Sequence, residues 1–324
     1  MIKRKTLCIG EPIGVFVPKD YELCENYMLK AAGAELNVAI GMSRLGEDVD
    51  YFTHLGNDPV GKLVKKILCD NKIGSSGIVI SDEFQTGVMM KTKVKTGDPE
   101  IFYYRNNSAA SHISKKDIQN IKLQQYQAVH ITGIFPALSP ETYEAAEEII
   151  RLAKAYGLQV SFDPNIRIAL WKNQDELKKK INRLASLSDI FLPGMHELKI
   201  LTGVDDIEKN AEFYIEAGVK NVFVKLGASG AYYTNGQECG YAHGFKVENI
   251  IDTVGAGDGF AAGVLTALNR GCGLKDAAVI GNAIGAMQLQ SEGDNDNLPN
   301  ADALNLFLKR KAQMSDCKLW ENSI

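Results

Sequence analysis

The chain of 324 residues is predicted to be an α/β protein on a mostly parallel sheet, and three observations carry that prediction. Short apolar runs of β character alternate with stretches whose apolar residues recur at helical spacing. The helical stretches stop at glycines, Gly46 after Leu45, Gly157 after Tyr156 and Gly271 after Arg270. Polar clusters follow the apolar runs directly, as where a parallel sheet presents ligand sites at its strand carboxyl ends.

In chain order, Leu7 to Gly10 is a short apolar strand, Glu35 to Leu45 a helix, Val49 to Leu55 a strand and Val60 to Leu68 a helix. Thr86 to Lys95 and Glu100 to Asn106 are β-rich runs joined by the turn-forming Thr96-Gly97-Asp98-Pro99, which predicts an antiparallel hairpin. With Ile13 to Val17 and Tyr27 to Ala31 it would build a small sheet outside the main one. A strand at Ala128 to Thr132, a helix from Pro140 to Tyr156, and strands at Gln159 to Phe162, Asp189 to Leu192 and Val222 to Lys225 continue the alternation. Phe260, Val264, Leu265 and Leu268 fall at helical spacing, so a helix is predicted to begin near Asp258.

Composition narrows the function classes. With 45% hydrophobic and 23% charged residues, the chain has the balance of an ordinary globular protein. A net charge of -4 and the lack of a basic stripe give no electrostatic reason to expect nucleic acid or an anionic membrane as partner. The apolar run near the start is too short for a secretory signal, so the cytoplasm is the expected location. Cysteines 8, 24, 69, 239, 272 and 317 lack metal-site spacing and read as reduced thiols, and His130 reads as a strand residue without a catalytic role.

Asp252 to Gly263 carries the chemistry. Gly255, Gly257 and Gly259 alternate there, leaving the backbone free and open to a close ligand just before a helix N-terminus. Free amides and the helix dipole make such a place an anion site, with phosphate the usual occupant. Asp258 beside bound phosphate would be repelled, which suits a group that takes a proton from an attacking hydroxyl. An aspartate alone at a helix start reads first as an N-cap; the three glycines reverse that balance. A dinucleotide fingerprint has different glycine spacing and lies early in a chain, and no P-loop string occurs.

Asp252-Thr253-Val254-Gly255-Ala256-Gly257-Asp258 resembles the C-terminal signature of the ribokinase-like, or PfkB, sugar kinases. That resemblance implies a three-layer sandwich, formed by one domain spanning 1–324, with lid segments near 12–18, 27–32 and 86–106. It also implies transfer of the ATP γ-phosphoryl group to a sugar hydroxyl, with Asp258 as general base, the Gly255, Ala256 and Gly257 amides as anion hole, and Mg²⁺ accompanying ATP.

On the substrate side, Tyr103 and Arg105 share one face of a strand, an arrangement suited to a ligand with an apolar edge and a carboxylate. On spacing alone, a solvated arginine beside a core tyrosine would be preferred. Asp163-Pro164-Asn165-Ile166-Arg167, placed where a strand ends, brings a second arginine and tips the balance. These segments, with Gly33-Ala34-Glu35-Leu36-Asn37 and the stretch from Gly133 to Pro140, are similar to the members of the family that act on 2-keto-3-deoxy sugar acids. The likeness implies that Gly33, Asn37, Tyr103, Arg105 and Arg167 hold the sugar acid beside Asp258. For the nucleotide it implies Asn165, Arg167, Lys225, Gly227, Ser229, Gly230, Gly255 and Gly257, with Asn282 beside the adenine. Glu197 would belong to the magnesium shell. The chain departs from the family at Met89, where a tyrosine is frequent, at Gly194, where an asparagine is usual, and at Ala32, the first of a glycine pair. A homo-oligomer formed through the lid is the implied assembly, fructokinase is the alternative activity, and a non-catalytic sugar or nucleotide sensor is the rival of another class. Lys178 to Lys180 reads as a solvated helix face, and Glu292 to Asp296 as an exposed loop without assigned function.

Overall fold

The computed structural model describes residues 5–19, 25–92, 100–290, 293 and 295–311. Strand β1 (Lys5–Ile9) opens the main sheet and is followed by two strands of a smaller one, β2 (Ile13–Pro18) and β3 (Tyr27–Ala32). Helix α1 (Ala34–Arg44), strands β4 (Val49–Phe52) and β5 (His54–Gly56), helix α2 (Pro59–Asp70) and strand β6 (Val79–Ser81) come next. Strands β7 (Val88–Lys91) and β8 (Ile101–Tyr104) complete the smaller sheet. Alternation follows through α3 (Lys115–Gln119), β9 (Tyr126–Thr132), α4 (Pro140–Ala155), β10 (Gln159–Asp163), α5 (Gln174–Leu187), β11 (Ile190–Phe191), α6 (Met195–Thr202), α7 (Ile207–Glu216) and β12 (Asn221–Lys225). The chain ends in β13 (Gly230–Thr234), β14 (Cys239–His243), α8 (Ala256–Asn269), α9 (Leu274–Gln288) and α10 (Ala301–Lys311).

The main sheet has the order β14-β13-β12-β11-β10-β9-β1-β4, parallel from β4 through β12 and antiparallel at its β13 and β14 edge. Neighbouring strand residues point to opposite faces, and here each face meets its own core. Cys8 and Phe223 pack with α1, α8 and α9, whereas Leu7, Ile9, Val222 and Val224 pack with α4, α5 and α7. Apolar residues on both sides of these strands therefore require helices on both sides, and the sandwich has three layers. Among the described residues, no helix is long and apolar enough to cross a membrane.

The second sheet has the order β3-β2-β7-β8, in agreement with the predicted small sheet. Its core is thin, formed by Ile13, Val15, Ala32 and Met89. The hairpin pairs Met89 with Tyr103 and Met90 with Phe102; the turn at Thr96 to Pro99 lies outside the described residues.

Several boundaries differ from the prediction by a residue or two, and one predicted strand is divided. The run from Val49 to Leu55 is two strands, because β1 ends opposite Phe52 and offers no further ladder, so the chain leaves the sheet and β5 pairs with β6. The helix predicted to begin near Asp258 starts at Ala256, since Gly255 alone takes the left-handed turn, with φ 79°, while Gly257 and Gly259 are helical.

Close helix crossings position α8. A methyl group on Gly41 of α1 would lie 2.7 Å from the Ala262 Cβ, and one on Gly263 would lie 2.9 Å from the Gly281 Cα of α9. Asn37 and Gly41 share one face of α1, and Asp258 and Ala262 one face of α8, each pair four residues apart. The contact that Gly41 permits therefore brings Asn37 against Asp258.

Candidate active site

A cleft of about 530 Å³ opens between the small sheet and the carboxyl ends of the main one. Gly33, Asn37, Tyr103, Arg105, Asn165, Arg167, Glu197, Lys225, Gly255, Gly257 and Asp258 all line it. Ala256 is the first residue of α8, between two of these glycines. Gly255 supplies no side-chain cap, and the first-turn amides of a helix have no partner within it. The first intrahelical bond runs from Gly259 N–H to the Gly255 carbonyl, 2.8 Å. The amides of Ala256, Gly257 and Asp258 thus form the electropositive end of α8 at the cleft.

Asp258 stands in that first turn. One carboxylate oxygen accepts from Asn37 Nδ2 at 2.8 Å and the other from Asn165 Nδ2 at 3.3 Å. Burial pushes its pKa up to about 7; Asp163 adds to the rise, while the Asn37 bond, Lys225 and Arg167 oppose it. Such a carboxylate is poised to exchange a proton near neutral pH. Asn165 reaches it from a backbone with φ 34°, uncommon for a residue with a side chain. Its N–H bonds to Asp163 Oδ1 at 3.1 Å, which closes the turn and aims the amide inward.

Beneath Asp258, Lys225 at the end of β12 donates to Asp163 Oδ2 at the end of β10, 2.6 Å. Burial raises the Asp163 pKa against the pull of Lys225. For Lys225, burial works against the charged form, and Asp163 and Glu197 outweigh it. Glu197 accepts from Ile166 N–H and Gly194 N–H, both at 2.7 Å, so it holds the loop after β10 against the start of α6. Among the described residues, no group of three His, Cys, Asp or Glu side chains could hold a metal ion. A magnesium ion bound mainly by phosphates and water, as Mg²⁺ usually is, fits a site whose nearby carboxylate is already engaged with backbone.

The small sheet departs from the predicted arrangement at one point. Arg105 and Tyr103 share a face, with the guanidinium 5.6 Å from the ring centroid, but Arg105 is buried and donates to Glu11, which also accepts from Ser108 Oγ. Glu11 follows β1 directly, beneath the end of β8, and a carboxylate so deeply buried needs a charged partner. The Arg105 head group therefore reaches the cleft already paired.

Four predicted nucleotide residues do not line the cleft. Gly227, Ser229 and Gly230 form the turn between β12 and β13, its first three residues exposed. Asn282 spends its amide on the carbonyls of Ala242 and His243, at 3.0 and 3.3 Å, and so fastens α9 to β14. The sequence assigns no individual role to Glu11, Asp163, Glu35 or Asn295. Asp163 and Glu11 carried a signal, each being a carboxylate at or just past a strand end. Glu35 did not: it is fully buried, accepts from Thr132 Oγ1 at 2.6 Å, and burial raises its pKa to about 7. The described part of the 292–296 stretch also differs from a free loop, for Asn295 bonds Asn37 at 2.9 Å.

An uncapped helix start, a part-buried carboxylate and a small β-sheet over the strand ends define a small-molecule phosphotransferase. Residues 3–301 match the model of the pfkB family carbohydrate kinases, and the chain belongs to that family. It is 39% identical over 311 residues to 2-dehydro-3-deoxygluconokinase of Bacillus subtilis, covering 95% of this chain and 96% of that one. Fructokinase-1 of Zea mays is 31% identical over 291 residues, covering 87% and 90%. Among solved structures, aminoimidazole riboside kinase from Salmonella enterica, complexed with aminoimidazole riboside and an ATP analog, aligns with a TM-score of 0.84 at 28% identity, over 94% of this chain and 99% of that one. The protein is a carbohydrate kinase with the ribokinase-like fold.

Proposed function

We propose that this kinase transfers the γ-phosphoryl group of ATP to the terminal hydroxyl of 2-keto-3-deoxygluconate, giving the 6-phosphate and ADP. The observation that carries the reading is Asp258, a part-buried carboxylate with its pKa raised to about 7 at the open end of α8. As the substrate oxygen bonds to phosphorus and the bond to ADP breaks, the hydroxyl proton passes to Asp258. The α8 amides compensate the phosphate charge, and Lys225 extends positive potential to the same wall. Mg²⁺ bound with ATP would neutralise phosphate charge, with Glu197 the carboxylate near its water shell. Gly33 and Asn37 face the sugar, Asn165 and Arg167 the phosphates, and the Gly227 to Gly230 turn and Asn282 lie toward the nucleoside end.

A sugar acid is favoured by the cations around the cleft. Lys91, Arg105 and Arg167 line it with Tyr103, and the 39% identical relative bears the name of a sugar-acid kinase. Because Arg105 is paired with Glu11, we infer that it serves the substrate carboxylate from one side of its fork. The likeness to the maize enzyme keeps fructokinase as the second reading. We further propose a cytoplasmic enzyme that associates with its own copies through the outer face of the small sheet.

An ATP-consumption assay over 2-keto-3-deoxygluconate, fructose, ribose and gluconate tests the reading. Loss of a charge-assisted hydrogen bond changes binding by about 10- to 100-fold, so kcat/KM for the keto-deoxy acid should exceed that for fructose by at least about 10-fold. Preference for fructose would install the second reading, and ligand binding without ATP turnover would mark a sensor.

A further inference from the structure

We propose that Asn295 is a positioning residue for the phosphoryl transfer: its side-chain amide decides which way the Asn37 amide faces and so keeps an N–H donor on Asp258. The proposal rests on Asp258 being the proton acceptor. The two ends of an asparagine amide are alike in shape and opposite in polarity. Either end of Asn37 could meet Asp258 sterically, and only the NH₂ end stabilises a carboxylate; the carbonyl end would repel it. Asn295 Nδ2 lies 2.9 Å from Asn37 Oδ1 and 3.2 Å from the carbonyl oxygen of Ala31. An NH₂ group with one hydrogen on each acceptor cannot reverse without setting its own oxygen against the Ala31 carbonyl. Asn37 must then show its oxygen to Asn295 and its nitrogen to Asp258, as the 2.8 Å bond records.

Asn295 is held as firmly as that role requires. Arg44 Nη1 donates to the carbonyls of Asn295 and Leu298 at 3.0 and 2.9 Å, while its Nε bonds Asn71 Oδ1 at 3.0 Å. Leu298 is buried beside Gly41 of α1 and Gly259 of α8, and Lys30 pairs with Asp296. The connection between α9 and α10 is thus fastened to α1, to α8 and, through Lys30 and Ala31, to β3 of the small sheet. One amide touches the sheet above the cleft and, through Asn37, the carboxylate below it.

The substitutions Asn295→Asp, which exchanges the donor for an acceptor at constant shape, and Asn295→Ala test this. The other charged groups about Asp258 are Asp163 on β10, Lys225 on β12, Arg167 after β10 and, behind them, Glu197 on α6; Lys30, Arg44 and Asp296 surround Asn295. Neither substitution removes any of them. With a charge-assisted donor lost from Asp258, kcat at pH 7 should fall about 10-fold in Asn295→Asp, the KM for ATP should stay within about twofold, and the acid limb of kcat should move up by about one pH unit. Asn295→Ala should show the same shift in smaller degree and carries the test alone should the aspartate variant fail to fold. In an Asn37→Ala background, either change should leave kcat and its acid limb where Asn37→Ala alone puts them. An unmoved limb in a folded variant, or losses that add in both backgrounds, overturns the positioning role. Should Asp258→Asn keep its turnover, the base assignment itself falls; silence in Asp258→Asn with normal Asn295 variants removes only the role of Asn295.

Discussion

The floor and the roof of the cleft are built on opposite plans. The floor joins strand ends of an eight-stranded sheet to helices packed closely enough that Gly41 meets Ala262. Its polar groups are paired, Asp163 with Lys225 and Asp258 with Asn37 and Asn165. The roof is a four-stranded sheet with a core of four residues, its outer face exposing Phe102 at 49% and Tyr104 at 61%. Charges that must keep their spacing through a reaction sit where packing is dense and the local dielectric low, because there their interactions are strong and their geometry is held. The thinner wall can move over a ligand without disturbing them.

If the floor is such an electrostatic unit, removing one partner should hurt more than removing any roof side chain. Lys225→Met leaves Asp163 buried and unpaired, so stability should fall by about 3 kcal/mol, read as a lower melting temperature at pH 7. An unchanged melting temperature would show that water reaches Asp163 freely. Next in size, Asp258→Asn should lower kcat by about 10²-fold, or close to 3 kcal/mol of transition-state stabilisation, while ATP binding measured by calorimetry persists. Near-normal turnover would remove Asp258 from the mechanism.

The same residue predicts a pH dependence of activity and another of stability. As a base it must be unprotonated, so kcat/KM should rise with pH through about 7. For stability, the unfolded chain releases this proton in the ordinary carboxylate range while the native state keeps it to about 7. Between those values the native state binds more protons, and its stability falls as pH rises. Asp258→Asn should therefore melt above the parent enzyme at pH 8, with the difference shrinking toward pH 4. A constant difference across that range would mean that the carboxylate is not desolvated.

How much of each wall could be read from the sequence follows from the range of the interactions that build it. Gly255 to Asp258 are contiguous, and a glycine cluster before a helix announces itself locally, as does the alternation that predicts the main sheet. Asn37 with Asp258, Glu11 with Arg105, and Asn295 with Asn37 are separated by 221, 94 and 258 positions, and no local pattern encodes such meetings. Arg105 shows the consequence. Period-two alternation correctly set it on the face of Tyr103, yet its partner depended on where β8 lies over the end of β1. Asn295 was hidden differently, in a polar stretch whose composition suggests only solvent.

The smallest expected effect on the subunit itself concerns the outer face of the roof. Exposed side chains that support no packed neighbour usually change stability by no more than about 0.5 kcal/mol, so Phe102→Ser with Tyr104→Ser should leave the melting temperature of a dilute subunit nearly unaltered. Phe102 and Tyr104 nonetheless present two exposed rings on one face of a sheet with little core of its own, and burying one large apolar side chain contributes about 1.5–3 kcal/mol. Should two copies meet there, removing both aromatics would weaken the association by roughly 10²-fold or more. Sedimentation over a concentration series would then show the parent chain as a dimer and the double variant as a monomer. A parent that sediments as a monomer throughout would leave the roof as a wall of one subunit, exposed for reasons other than assembly.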